Sequence, residues 1–282
     1  MELKKLYLEG KEKIKANGME CSGPEASLML TKITGRVRSE IYSNPSILIN
    51  REEVKNFRLM IGRRIQGEPL SYITGEKEFF SRNFIVDQHV LIPRPETEIL
   101  VERVIDSIPS RSGFKVVDLG TGSGCICVTL CLERPSIEVF ATDISYNAIK
   151  IAKHNAINHN VENRILFANT DLVSCLKPGS VDLLVSNPPY ISDSDYDHLE
   201  YEVKNYEPRS ALLAGVDGLG LIRKVISGGG YILKEGGCCY IEVAYNHADI
   251  VCGLFENAGY DNIKTFCDLS GKERIVSAKW KK

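Results

Sequence analysis

A chain of 282 residues, 43% hydrophobic and 26% charged, has room for one large domain and a small one, and its composition is that of an ordinary globular protein. Its net charge of −2 lacks the basic surplus of proteins that grip duplex nucleic acid: residues 1–90 carry 15 Lys+Arg against 12 Asp+Glu, and the remainder carries 20 against 25. No apolar run approaches the ~20 residues of a membrane span, and the charged start Met1–Glu9 has no hydrophobic stretch of a leader peptide, so a cytoplasmic protein without membrane contact is expected.

Residues 1–70 read as a small helical bundle. Leu3, Leu6, Leu8, Ile14 and Met19 are loosely periodic, Pro24 suits a helix start, and Val54, Phe57, Met60, Ile61 and Ile65 recur at helical spacing before Gly67. Residues 71–93 read as a β-hairpin linker, with short strands at 71–75 and 79–86. Pro95 and the acids Glu96 and Glu98 suit the start of a helix through Leu100 and Val104. From 94 onward the pattern predicts one domain in which strands and helices alternate. Strands are expected at 114–119, 137–143, 164–168, 181–186 and 238–243, with helices between them, and two closing strands at 263–266 and 274–278. The expected fold is α/β: a doubly wound, mostly parallel seven-stranded sheet behind a small N-terminal helical domain.

The nine cysteines include no Cys-x-x-Cys pair. They read as buried, reduced thiols, with neither disulfide nor metal expected. The five histidines show no paired ligand spacing and read as surface or loop residues.

The first expected strand ends in Asp118-Leu119-Gly120-Thr121-Gly122-Ser123-Gly124. Glycines there let backbone approach a ligand and open a helix N-terminus. The spacing is Gly-x-Gly-x-Gly, where a dinucleotide fold prefers Gly-x-Gly-x-x-Gly, and no Lys-Ser/Thr follows as in a P-loop. Asp143, at the end of the second strand, stands where a ribose diol is bound. Beyond the third strand Asp171 can accept from an adenine amino group while Leu172 packs on the ring. Asp118 lies close enough to orient a methionine moiety. The loop together with its spaced acids favours S-adenosyl-L-methionine, with S-adenosyl-L-homocysteine as product, over a dinucleotide.

The fourth strand ends in Ser186-Asn187-Pro188-Pro189-Tyr190. Proline has no N–H and a fixed φ, and it holds its predecessor extended, so Asn187 is aimed off the strand end. The side-chain carbonyl of Asn187 and the main-chain carbonyl of Pro188 can accept two N–H bonds, and Tyr190 can lie against a planar group. This suits an NH₂ on an sp² carbon, whose delocalised lone pair makes it a poor nucleophile unless it is oriented. Alignment of that kind is worth ~7–11 kcal/mol in favourable cases.

These blocks, with Pro69–Gly75, Ile92–Glu98, Glu207–Leu212 and Asp268–Arg274, resemble the release factor glutamine methyltransferase family over essentially the whole chain. The Asn-Pro-Pro-Tyr motif alone is shared with adenine-N6 DNA methyltransferases; the combination is narrower. The resemblance implies a class I S-adenosylmethionine-dependent methyltransferase domain. It also implies an N-terminal domain that recognises peptide chain release factors 1 and 2, with the glutamine of a Gly-Gly-Gln loop as target. By position, Gly120 to Gly124, Asp143 and Leu172 would contact the cofactor. Asn187, Pro188, Pro189 and Tyr190 would hold the glutamine, and Arg94, Glu96, Thr97, Glu207 and Arg209 would shape the site. A monomer that makes no direct nucleic-acid contact is expected. Two other readings stay open: the same chemistry on a ribosomal-protein glutamine or on adenine, and a non-catalytic nucleotide-binding module.

Overall fold

The computed structural model describes residues 1–281 and divides into two compact units. The first comprises Met1–Glu76 with Glu200–Tyr206; the second comprises Lys77–Leu199 with the chain from Glu207 onward.

The first unit holds α1 (Leu3–Ala16), α2 (Ser22–Thr34), α3 (Glu40–Ser43), α4 (Arg51–Ile65) and α5 (Leu70–Thr74). Leu3, Leu6, Ile14, Met29, Phe57 and Ile61 form its core, each at most 2% exposed. A capping box starts α4: Asn50 Oδ1 accepts from Glu53 N at 2.8 Å, and Glu53 Oε2 accepts from Asn50 N at 3.0 Å. Gly10 lets α1 and α4 meet, because a Cβ there would lie 2.5 Å from Phe57 Cζ. Gly10→Ala, ordinarily a gain of ~1 kcal/mol inside a helix, is therefore expected to destabilise by roughly 1–3 kcal/mol, read as a lower midpoint in urea unfolding.

Residues 71–75, expected as a strand, form α5 instead. Pro69 is the extended N-cap, Gly75 ends the helix at φ 76°, and Tyr72, Ile73 and Thr74 are all buried. Three consecutive buried side chains suit a turn of helix wedged into a core better than a strand with one wet face. The hairpin is shorter than expected and starts later, with β1 (Glu76–Phe79) and β2 (Arg82–Ile85). Phe80 and Ser81 turn it with φ of 52° and 58°, a conformation that usually selects Asn or Gly. The hairpin is no free-standing linker: Phe79 and Phe84 lie in the main core of the second unit.

That unit continues through α6 (Pro95–Ser107), β3 (Phe114–Leu119), α7 (Cys125–Glu133), β4 (Ile137–Asp143), α8 (Tyr146–Asn158), β5 (Ile165–Asn169), β6 (Val181–Ser186) and α9 (Asp193–Tyr196). The short α10 (Tyr201–Tyr206) clusters with the first unit: Glu202 Oε1 accepts from Arg64 Nη1 at 2.7 Å, and the Tyr206 hydroxyl donates to Gln66 O at 3.0 Å. The second unit then resumes with α11 (Gly220–Ile232), β7 (Leu233–Glu242), α12 (Ala248–Asn257), β8 (Tyr260–Cys267) and β9 (Glu273–Trp280).

The seven strands are ordered β5-β4-β3-β6-β7-β9-β8, parallel except that β9 runs against both of its neighbours. Successive residues feed opposite faces. Val116, Leu183 and Val185 enter one core cluster, and Val117, Leu119 and Leu184 enter the other. Both faces are thus covered, as a parallel sheet requires. The chain steps outward from β3 to β5 and then returns to lay β6 beside β3. Ligands of such sheets bind where this reversal opens a crevice at the carboxyl ends of the strands.

No described helix is long and apolar enough to cross a membrane. Cys125, Cys127, Cys131 and Cys239 are buried, whereas Cys21, Cys175 and Cys267 are exposed, against the expectation of uniformly buried thiols.

Candidate active site

Leu119 on β3 pairs with Ser186 on β6, so Gly120 and Asn187 leave the sheet side by side at the point of reversal. A cavity of about 520 Å³ opens there, within the second unit. Gly120, Gly122 and Gly124 have φ of 73°, 54° and 80°, a left-handed path that side-chain-bearing residues rarely adopt. The backbone N–H groups of Gly120 and Thr121 both donate to Thr142 O at 2.9 Å, which folds the loop onto β4. Gly120, Thr121, Gly122 and Ser123 line the cavity. Gly124 does not; it is the N-cap of α7, and a Cβ there would come within 3.0 Å of the Ala152 Cβ.

Asp143 lines the cavity and is held by two backbone donors, Gly122 N to Oδ2 at 2.9 Å and Ser145 N to Oδ1 at 2.8 Å. Burial pushes its carboxyl upward and these two bonds draw it back. A carboxylate has about four lone-pair positions, so each oxygen can still accept from a diol. Asp171 and Leu172 also line the wall, with Ile144. Leu172 sits at φ 46°, backbone strain of the kind that gathers at ligand sites. Together these groups suit an adenosine: paired acceptors for a ribose, an apolar clamp for a base, and bare backbone for the remainder.

Asp118 is placed differently from the expectation. It is fully buried and does not reach the cavity; its Oδ2 accepts from Thr121 Oγ1 at 2.6 Å, and its Oδ1 has no partner among the described residues. Burial pushes its carboxyl up to about 7. Its visible work is to pin the loop from below.

Asn187 and Pro189 line the cavity, as do Arg94 and Thr97. Asn187 Nδ2 donates to Thr97 Oγ1 at 3.0 Å, and Thr97 Oγ1 donates to Glu242 Oε2 at 2.7 Å. Thr97 and Glu242 are each 2% exposed. Burial pushes the Glu242 carboxyl up to about 7, against the opposing pull of the Thr97 bond. A carboxyl raised by folding binds extra protons in the native state, so its contribution to stability is full below about pH 4.5 and is lost as pH rises through about 7. Glu242→Gln is therefore expected to melt higher than the parent at pH 8 and to lose that advantage near pH 4, as followed by calorimetry.

Pro188 is buried, and Tyr190 is half-buried against the core cluster of α11 and β7 rather than on the cavity wall. Glu207 fastens the turn before α6: it accepts from Arg94 Nη2 at 2.5 Å and from Ile92 N at 3.2 Å. Arg209 lies 5.3 Å from the Tyr196 ring centre, and Glu96 is half-buried off the wall. Sequence reasoning passed over His89, Val90 and Leu91, which follow the hairpin, and Ser210, Ala211 and Ala214, all of which line the cavity. Ser210 and Ala211 follow directly on Glu207-Pro208-Arg209, and it is these small residues, not the charged ones, that reach the cavity. It also passed over Asn155, buried on α8. That side chain accepts from Ile85 N at 2.7 Å and donates to Ile85 O at 2.9 Å and Ser123 O at 2.8 Å, so it joins β2 to the glycine loop.

Residues 5–75 match the model of the PrmC N-terminal domain, and residues 95–202 match that of the methyltransferase small domain. The release factor glutamine methyltransferase of Nitratidesulfovibrio vulgaris is 37% identical over 98% of this chain and 95% of its own. The chain belongs to the release factor glutamine methyltransferase family. A second relative of that name, from Caulobacter vibrioides, is 36% identical over 97% of this chain and 95% of its own. The chain spans about half the length of other curated relatives: the bifunctional methyltransferase of Rickettsia typhi is 36% identical over 97% of this chain but only 56% of its own. Among solved structures, a methyltransferase from Pyrococcus furiosus superposes with a TM-score of 0.53 at 15% identity, covering 78% of this chain and 98% of that one. The fold is that of the class I methyltransferases, with an N-terminal helical domain.

Proposed function

We propose that this protein transfers a methyl group from S-adenosyl-L-methionine to the side-chain amide nitrogen of the Gly-Gly-Gln glutamine in peptide chain release factors 1 and 2. The observation that carries this reading is the register of β3 and β6, which sets the glycine loop and Asn187 side by side on one cavity wall. When bound, S-adenosyl-L-methionine supplies an electrophilic methyl on a sulfonium. Asp143 accepts the ribose hydroxyls, Ile144 and Leu172 flank the adenine, and the Gly120–Ser123 backbone bounds the amino-acid end. The Asn187 side-chain oxygen and the Pro188 carbonyl accept the two N–H bonds of the glutamine amide, which aims the nitrogen lone pair across the cavity. A substrate without that NH₂ leaves buried acceptors unpaired, at ~1–3 kcal/mol each.

The test is mass spectrometry of tryptic peptides from full-length release factors incubated with the protein and S-adenosyl-L-methionine. One added methyl on the Gly-Gly-Gln peptide is expected. Labelled methyl appearing in DNA, RNA or a ribosomal protein, with none in the release factors, would overturn the reading.

A further inference from the structure

Asn187 can serve as an acceptor only if its amide oxygen, not its NH₂ group, faces the cavity. The two ends of a carboxamide have nearly the same shape, so packing alone does not choose between them; hydrogen bonding does. The chain Asn187–Thr97–Glu242 supplies the choice. An ionised carboxylate carries no hydrogen, so the one hydrogen between Glu242 and Thr97 belongs to the threonine hydroxyl. With that hydrogen spent, Thr97 Oγ1 can only accept on its other side. The NH₂ end of Asn187 is therefore turned toward Thr97, and no described residue donates to its oxygen.

The strands bring these three residues together. Ser186 pairs with Ile241, so Asn187 and Glu242 are the next residues on neighbouring parallel strands, and Thr97 comes from the first turn of α6 beside them. We infer that Glu242 is a positioning residue that, through Thr97, fixes the orientation of the Asn187 amide and so makes the site select a carboxamide over the isosteric carboxylate. This rests on the reading of Asn187 as the acceptor for the substrate NH₂. Reversal of the first link has a definite consequence. If Glu242 bears a proton, it donates to Thr97, Thr97 donates to Asn187, and the amide turns its NH₂ end to the cavity.

The charged groups around Glu242 are Arg94 and Glu96 from the start of α6 and Arg274 from β9, with the Tyr190 phenol beyond β6 and the Cys125 thiol of α7. Arg94 is engaged by Glu207, and Arg274 by Asp268 at 3.2 Å, so neither pairs directly with Glu242. Its hydrogen bond to Thr97 is the contact on which its charge acts.

The experiment measures kcat and KM across pH 5.5–9 with full-length release factor and S-adenosyl-L-methionine, for the parent, Glu242→Gln, Thr97→Val and Asp118→Asn. Glu242→Gln presents either end of its amide to Thr97 and loses the directional constraint. A fall in kcat of roughly 10- to 100-fold is expected, with KM for S-adenosyl-L-methionine little changed. Thr97→Val breaks the chain at its middle and should fall by a similar factor, whereas Thr97→Ser, which keeps the hydroxyl, should recover most of the rate. The parent should show activity rising with pH through about 7. That limb should vanish in Glu242→Gln and persist in Asp118→Asn, which removes the other buried carboxyl pushed up to about 7. Glu242→Gln turning over within threefold of the parent with the limb intact would overturn the inference. An inactive Asn187→Ala beside such a variant would leave the acceptor reading standing, while an active Asn187→Ala would remove both.

Discussion

Asn187→Ala is expected to lower the rate of methyl transfer to a release factor by about 10³-fold while leaving the affinity for S-adenosyl-L-methionine within a few fold. That is the scale of removing one preorganised hydrogen-bonding group from a reacting centre. The glutamine nitrogen shares its lone pair with its carbonyl, so its reactivity depends on being held rather than on being basic. Asn187 provides one of the two oxygens proposed to hold it, and its position beyond β6 is fixed by the paired strand and by the prolines that follow. Truncation removes the acceptor and also takes one of two partners from Thr97 Oγ1, which keeps its bond to Glu242, but it touches no core packing: Asn187 is half-buried at the cavity wall. Single-turnover kinetics with labelled methyl, beside calorimetry of cofactor binding, separates the two effects. A rate within tenfold of the parent would place the amide-holding group elsewhere.

Asp143→Ala should have the complementary signature, a roughly 10²- to 10⁴-fold loss of affinity for both S-adenosyl-L-methionine and S-adenosyl-L-homocysteine. Each charge-assisted bond to a ribose hydroxyl is worth ~1.5–3 kcal/mol, and the proposal has two. The same carboxylate accepts from Gly122 N and Ser145 N, so its removal also unfastens the loop from the start of α8. Asp143→Asn keeps one acceptor oxygen and should lie between the extremes. Isothermal titration decides the matter, and unchanged affinity in the alanine variant would move the ribose to another part of the cavity.

The central strands are legible in the sequence because the sheet is buried on both faces: 114–119 and 181–186 are mostly apolar runs, and each leads directly into residues that line the cavity. The glycine loop and Asn187-Pro188 are legible for a related reason, since backbone geometry restricts which residues can stand there. What is hidden depends on contacts between distant positions. Glu242 reads as one acid at the end of an apolar strand, and its partner Thr97 is 145 residues away, at a separation no spacing rule connects. Glu202 meets Arg64 across 138 residues, which is why 200–206 joins the first unit against the sequence reading of one unbroken domain from 94. Local composition misleads at α5, where Tyr72-Ile73-Thr74 has the residues of a strand but is bracketed by Pro69 and Gly75. It misleads again at Phe80-Ser81, a tight turn without the usual turn residues.

Asn155 has a further consequence. Because one buried amide clasps both β2 and the backbone of Ser123, the hairpin cannot swing without tugging on the floor of the cavity. Solvent exchange at the Ile85 amide thus becomes a remote gauge of the glycine loop, one that registers its tightening from a position outside the cavity itself.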